Sequence, residues 1–243
     1  MKIFLFDVDG TLTPARKSME SSHAWDFLDW ISGVEEKRVY IVSGSDRRKI
    51  LEQLPSSILS RCSGAFCCMA NQFWDNEKGL VYSNEWNPPK SLISQLNDYV
   101  LNSEYEKVGS GNIESRPGMI NFSTVGRAAT AEERLEYNLW DRQSLERESI
   151  CVELKTRYPD LDISIGGQIS IDINPKGNNK SQCTKWIRQN AKDPDSEFVF
   201  FGDKCHKGGN DYDIVEDINK NRDGVFFSVD GPEETLSILT SEY

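Results

Sequence analysis

The chain has 243 residues, 37% hydrophobic and 10% aromatic, with a formal net charge of −11. That length accommodates one large domain or two modest ones, and the acidic balance excludes the basic face that a nucleic-acid backbone requires. No apolar stretch approaches the ~20 residues of a membrane span, the first residues read as a core strand without a signal-peptide cleavage site, and two histidines rule out a site built from three or more.

In chain order, an apolar run at 3–6 ends in Asp7 and Asp9, with Gly10 and Thr11 directly after. Such a run reads as a buried parallel strand whose carboxyl end opens into a loop, the edge where open α/β sheets bind ligands. Ala24, Phe27, Leu28 and Ile31 mark one helix face. RVYIV (38–42) is a second strand, ending at Ser43-Gly44-Ser45-Asp46, and a helix follows through Ile50, Leu51 and Leu54. AFCCMA (65–70) is a third strand.

Residues 80–172 lack short βα units. A helix at 92–101, a strand at 119–124 and a long charged helical pattern from about 131 to 157 precede two β-rich segments, LDISI and ISIDI, joined as a hairpin around Gly166-Gly167. The last part returns to α/β, with a helix at 180–187, strands at 197–202 and 224–229, and a closing helix announced by Pro232 and two acids. The fold class is therefore α/β: a doubly wound, Rossmann-like parallel sheet from residues 1–80 and 175–243, with an α+β cap inserted at 81–174. The six cysteines show no repeated metal spacing and read as buried, reduced thiols of a cytoplasmic protein.

Four motifs fall where a doubly wound sheet places its site loops: Asp7-Val8-Asp9-Gly10-Thr11, Ser45, Lys180 after NPKGNN, and Gly202-Asp203 with the later Gly208-Gly209-Asn210-Asp211. Asp7 and Asp9, two apart on an extended chain, share a face. Paired carboxylates attract a hard cation such as Mg²⁺, and one can act as nucleophile while the other moves a proton. Ser45 and Lys180 supply a hydroxyl and an ammonium for phosphate oxygens. Taken singly, each has a plainer explanation: a turn for the acids, a helix N-cap for Ser45, a solvated lysine for Lys180. The joint pattern, each motif close behind an apolar strand, points to phosphoryl transfer.

DVDGT, the strand-end serine, the lysine and the late GD…ND acids resemble the four motifs of the haloacid dehalogenase-like phosphotransferases. FDVDGTLTPAR, SGSD, RPGMINFSTVGR, EER, GGQISIDINPKGNNK and FFGDKCHKGGNDYDI together resemble the eukaryotic-type phosphomannomutases over nearly the whole chain. Ala70-Asn71-Gln72-Phe73 departs from that family's usual turn after the third strand.

The resemblance implies Asp7 as the phosphorylated nucleophile and Asp9 as general acid and base. It also implies a Mg²⁺ ion on Asp7, the Asp9 carbonyl and Asp203 with Asp211 in support, and a second cation site at the Val215 carbonyl and Asp217. Arg16, Ser45, Arg116, Arg127, Arg134, Ser170, Asp172 and Lys180 match substrate-binding residues, guanidiniums being suited to phosphate.

The implied reaction interconverts mannose 6-phosphate and mannose 1-phosphate for nucleotide-sugar synthesis. It runs through a hexose 1,6-bisphosphate that also serves as activator, in a homodimer formed through the cap. A sugar-phosphate phosphatase, a relative active on glucose phosphates and a non-catalytic phosphosugar-binding protein are the alternatives.

Overall fold

The computed structural model describes residues 1–33, 37–190 and 196–243. Contacts divide the chain into two compact units, 1–83 with 179–243, and 84–178.

The larger unit contains β1 (Lys2–Phe6), α1 (Ser21–Gly33), β2 (Lys37–Val42), α2 (Arg47–Gln53), α3 (Ser56–Leu59), β3 (Gly64–Cys67), β4 (Gln72–Asp75) and β5 (Gly79–Ser83) before the insertion. The inserted unit contributes α4 (Lys90–Leu101), β6 (Ile113–Arg116), β7 (Met119–Phe122), α5 (Ala131–Ser144), α6 (Glu146–Arg157), β8 (Leu161–Gly166) and β9 (Ser170–Pro175). The larger unit then resumes with α7 (Gln182–Asn190), β10 (Glu197–Gly202), α8 (Tyr212–Asn221), β11 (Gly224–Ser228) and α9 (Pro232–Glu242).

Its sheet runs β11-β10-β1-β2-β3-β4-β5. The first five are mutually parallel, as the apolar runs predict. Alternation sends successive side chains to opposite faces. Ile3, Leu5, Phe198 and Phe200 pack with Cys183, Ile187, Ile214 and Ile218 of α7 and α8. On the other face Phe4 and Phe6 meet Phe27 and Trp30 of α1, and Phe6 stacks on Phe201. Each such buried ring contributes roughly 1.5–3 kcal/mol.

Two features of this sheet differ from the sequence reading. The third strand stops at Cys67, because Cys68, Met69 and Ala70 all take left-handed φ values of 52°, 58° and 61°. An antiparallel hairpin, β4 and β5, then extends the edge. Its strands are short and half-exposed, so they carry no long apolar run.

The inserted unit is a four-stranded antiparallel sheet, β6-β7-β9-β8. One face buries Ile120, Phe122, Ile163, Ile171 and Ile173 against Leu92, Leu96, Ile150 and Leu154 of α4 and α6. The charged pattern at 131–157 is two helices rather than one. They part at Leu145, held at φ 55°, and Asp141 accepts the Arg147 backbone N–H at 2.9 Å across the break. No glycine or proline marks that position. Strand β6, IESR, is too polar to stand out by hydropathy. No described helix is long and apolar enough to cross a membrane.

Candidate active site

In the larger unit the site forms at the carboxyl ends of parallel strands. Asp7 follows β1 and Asp203 follows β10, two neighbouring strands, while Asp211 precedes α8. Ligand oxygens of these three acids lie within 4.8 Å of one another. Gly10 is required beside them: its φ is +86°, and a Cβ there would come within 2.7 Å of an Asp203 carboxylate oxygen.

Lys180 is wholly buried and donates to Asp7 Oδ1 at 2.7 Å and Asp211 Oδ1 at 2.6 Å. It sits in the turn before α7, not inside the helix. A buried ammonium is tolerated only with such partners. Burial alone would push it down; the Asp211 and Asp7 carboxylates outweigh that and hold it above the ordinary lysine range. Asp7 moves well above the usual carboxylate range, raised by burial against the opposing pull of Lys180 and with the help of Asp211 and Asp203. Asp203 is raised by burial and by Asp211, although Lys204 pairs with it and pulls the other way. Three crowded acids, two of them resisting ionisation, with ammonium groups turned toward them, fit a hard divalent cation.

Asp9 stands outside that acid group. Its Oδ1 accepts from the Arg16 backbone N–H at 2.5 Å and from Gln53 Nε2 at 2.8 Å. Arg16 itself lies in a left-handed bend, φ 61°. Ser45 is buried at the end of the loop after β2, and its carbonyl accepts from Cys68 N–H at 2.9 Å. The N-cap of α2 is Asp46, which accepts from Lys49 N, so capping does not account for Ser45. The left-handed turn at 68–70 thus braces the serine loop. It is tied in turn to the start of α7, just past Lys180, where Gln182 Nε2 donates to the Met69 carbonyl at 3.2 Å.

Val215 and Asp217 are not gathered with these acids. Val215 packs its side chain into the core from α8. The Asp217 carboxylate accepts from Thr184 Oγ1 at 2.5 Å and Arg188 Nη1 at 2.6 Å. An arginine that also pairs with Asp223 therefore answers its charge, and Asp217 lies outside the acid group of Asp7, Asp203 and Asp211.

The inserted unit collects cations instead. Glu114 pairs with Arg116 at 2.5 Å and Arg127 at 3.2 Å. Arg127 Nη1 donates to Ser170 Oγ at 3.0 Å. Arg134 behaves differently: it is buried, with Nε and Nη2 donating to the carbonyls of Ala129 and Arg127, so it braces the loop that carries Arg127. Asp172 is buried on the polar face of β9, accepting from Asn121 Nδ2 at 2.7 Å. Gly166, two residues beyond Ser164 on β8, is needed beside it, since a Cβ there would collide with the Asp172 carboxylate. The β8–β9 turn is fixed by Arg147, which pairs with Asp141 at 2.7 Å and donates to the Gly166 and Gly167 carbonyls.

Sequence reasoning missed Gln53, Glu114, Asn121, Arg147 and Lys204. Only Asn121 had a readable signal, the alternation of Ile120 and Phe122 with Asn121 and Ser123.

Solved phosphatases share this fold, one of them from the haloacid dehalogenase superfamily. The C-terminal domain of Candida albicans trehalose-6-phosphate phosphatase superposes with a TM-score of 0.62 at 19% identity, over 98% of this chain and 90% of that one. A subclass IIB sugar phosphatase of that superfamily gives 0.57 at 15% identity, over 97% and 91%. Residues 27–243 match the family described as eukaryotic phosphomannomutase. The phosphomannomutase of Saccharomyces cerevisiae is 34% identical over 98% of this chain and 92% of its own length. That of Arabidopsis thaliana is 33% identical over 97% and 94%. This chain belongs to the eukaryotic phosphomannomutase family.

Proposed function

We propose that this enzyme interconverts mannose 6-phosphate and mannose 1-phosphate. The observation that carries the reading is the close group of Asp7, Asp203 and Asp211, the first and last of them buried and paired with Lys180, in a chain whose relatives are phosphomannomutases. Asp7, Asp203, Asp211 and the Asp9 carbonyl would hold Mg²⁺, which when bound neutralises charge on the transferring phosphoryl group. Asp7 carries the phosphoryl group. A sugar hydroxyl attacks the phosphorus, the bond to the Asp7 oxygen breaks, and Asp9 accepts the hydroxyl proton. In the return half the bisphosphate, reversed, passes its other phosphoryl group to Asp7 while Asp9 gives the proton back. Ser45 and Lys180 bind phosphate oxygens beside the nucleophile.

Arg116 and Arg127 hold the phosphate that is not reacting, with Arg16 assisting and Arg134 supporting Arg127. Ser170 and Asp172 bind the sugar. A bisphosphate presents either end, so the grip must be indifferent to orientation, and guanidiniums satisfy that. Hexose 1,6-bisphosphate serves as activator by restoring any phosphoenzyme lost to water. A homodimer through the inserted unit is supported by Leu135 and Leu139, exposed one turn apart on α5. Six free, buried cysteines support a reducing, cytoplasmic setting.

Phosphorus NMR of mannose 1-phosphate with Mg²⁺ and a catalytic amount of hexose 1,6-bisphosphate tests the reading. Mannose 6-phosphate is the expected product; inorganic phosphate as main product would make the enzyme a phosphatase.

A further inference from the structure

The antiparallel register of the inserted sheet sets four polar residues in one row across it. Glu114 lies opposite Asn121, Asn121 opposite Asp172, and Asp172 opposite Ser164. Directly opposed side chains in such a sheet lie close enough to interact. Within this row Asn121 is only 3% exposed. A carboxylate can only accept, so the 2.7 Å contact with Asp172 Oδ1 fixes which end of the amide is which: Nδ2 faces Asp172. The carbonyl end, Oδ1, is then turned away from Asp172 and has no hydrogen-bond partner among the described residues. Ser123 Oγ, two residues on, is also buried and unpartnered, so the deficit belongs to the face and not to one atom.

A buried acceptor left unpaired costs roughly 1–3 kcal/mol. Buried polar groups are nearly always satisfied, so each exception calls for a reason. Here the exception adjoins Asp172, a sugar-binding residue in the reading above. A hexose carries hydroxyls on adjacent carbons, each able to donate one hydrogen bond. An amide oxygen beside a carboxylate is a matched pair of acceptors for two such donors.

We propose that Asn121 is a further specificity-determining residue, whose Oδ1 accepts a hydrogen bond from one ring hydroxyl of the hexose phosphate. The inference rests on the assignment of this face to the sugar. It adds that Asn121 does two jobs at once: its N–H orients Asp172 and its carbonyl reads a second hydroxyl.

The test pairs substitutions with substrates. Values of kcat/KM and calorimetric affinities are measured for mannose 1-phosphate and for analogues each lacking one ring hydroxyl, with the parent, Asn121→Ala and Asn121→Leu. A site built to bond a hydroxyl strongly rejects the analogue without it. The parent should therefore penalise one analogue by at least about 30-fold, and both variants should shrink that penalty to about threefold or less, with a smaller fall for the hydroxyl bound by Asp172, which loses its Asn121 N–H, and no change for the others. Leucine, close to asparagine in size, keeps the site filled if alanine loosens the sheet.

Penalties that fall in both variants for no analogue, or only by that smaller amount for one, would overturn the proposal, leaving Asn121 as at most a support for Asp172. A parent that binds these sugars selectively but forms no isomer would overturn the mutase reading and leave this inference standing. Equal affinity for all analogues in the parent would overturn the inference.

Discussion

In the larger unit, charge converges because the topology forces it to: neighbouring parallel strands end at one edge, and Asp7 and Asp203 emerge there side by side. In the inserted unit the sheet is antiparallel, no edge gathers loop ends in this way, and the polar groups meet by cross-strand register instead. The first arrangement crowds like charges that need a cation; the second pairs guanidiniums with a carboxylate and buries a polar sheet face. Chemistry that makes and breaks a phosphoryl bond suits the former, and reversible holding of a polar ligand suits the latter.

The comparison breaks most visibly at Asp7. Asp7→Asn should abolish the acid-stable trace of phosphoenzyme and lower turnover by about 10⁴-fold or more, read by rapid quench and isomerase assay. Turnover near the parent level would remove the larger unit from the chemistry.

Next in size is a structural effect confined to the inserted unit. Arg147→Met strips the buried partner from Asp141 and frees the β8–β9 turn, and should cost about 3–5 kcal/mol in urea unfolding of that unit. A loss under about 1 kcal/mol would mean that the clamp does not hold the turn.

Arg127→Ala sharpens the division of labour. Isomerisation should fall about 100-fold, through lost positioning of the substrate. Hydrolysis of acetyl phosphate, which has no second phosphate to grip, should change by about threefold or less. Equal losses in both reactions would show that Arg127 is structural.

The smallest effect belongs to Lys37, at the amino end of β2 and thus away from the acids. Burial against Trp30 lowers its ammonium from 10.5 to about 8. Below pH 8 both folded and unfolded chains hold that proton. Between about 8 and 10.5 only the unfolded chain does, so this group adds stability as pH rises through that window. Lys37→Met should flatten the rise, by less than about 1 kcal/mol because solvent screens a half-exposed group. A steeper rise in the variant would reverse the assignment.

Much of the larger unit was legible in the sequence, because four of its parallel strands, β1, β2, β3 and β10, are largely buried and read as apolar runs, while the edge strand β11 is apolar but half-exposed. Asp7 and Asp203 were legible for the same reason, each lying just past such a run, whereas Asp211 was marked by the Gly-Gly-Asn-Asp turn before α8. Where the reading failed, apolar character misled it: Cys68, Met69 and Ala70 look like strand but form a left-handed turn. The inserted unit hid more. Its helix break at Leu145 has no breaker residue. The Arg147–Asp141 pair and the Glu114 pairing with Arg127 depend on tertiary contacts that no local pattern announces. Arg134 could be picked out as a cation, yet its bracing of backbone carbonyls could not.

The central claim, that a phosphoryl group on Asp7 passes to a sugar, is tested most directly in a single turnover. The enzyme is first labelled with radioactive phosphate at Asp7, then mixed with excess unlabelled mannose 1-phosphate and Mg²⁺. The account predicts that the label leaves the protein into hexose bisphosphate, ahead of any release as inorganic phosphate. Label appearing directly in inorganic phosphate, with none in the bisphosphate, would contradict it.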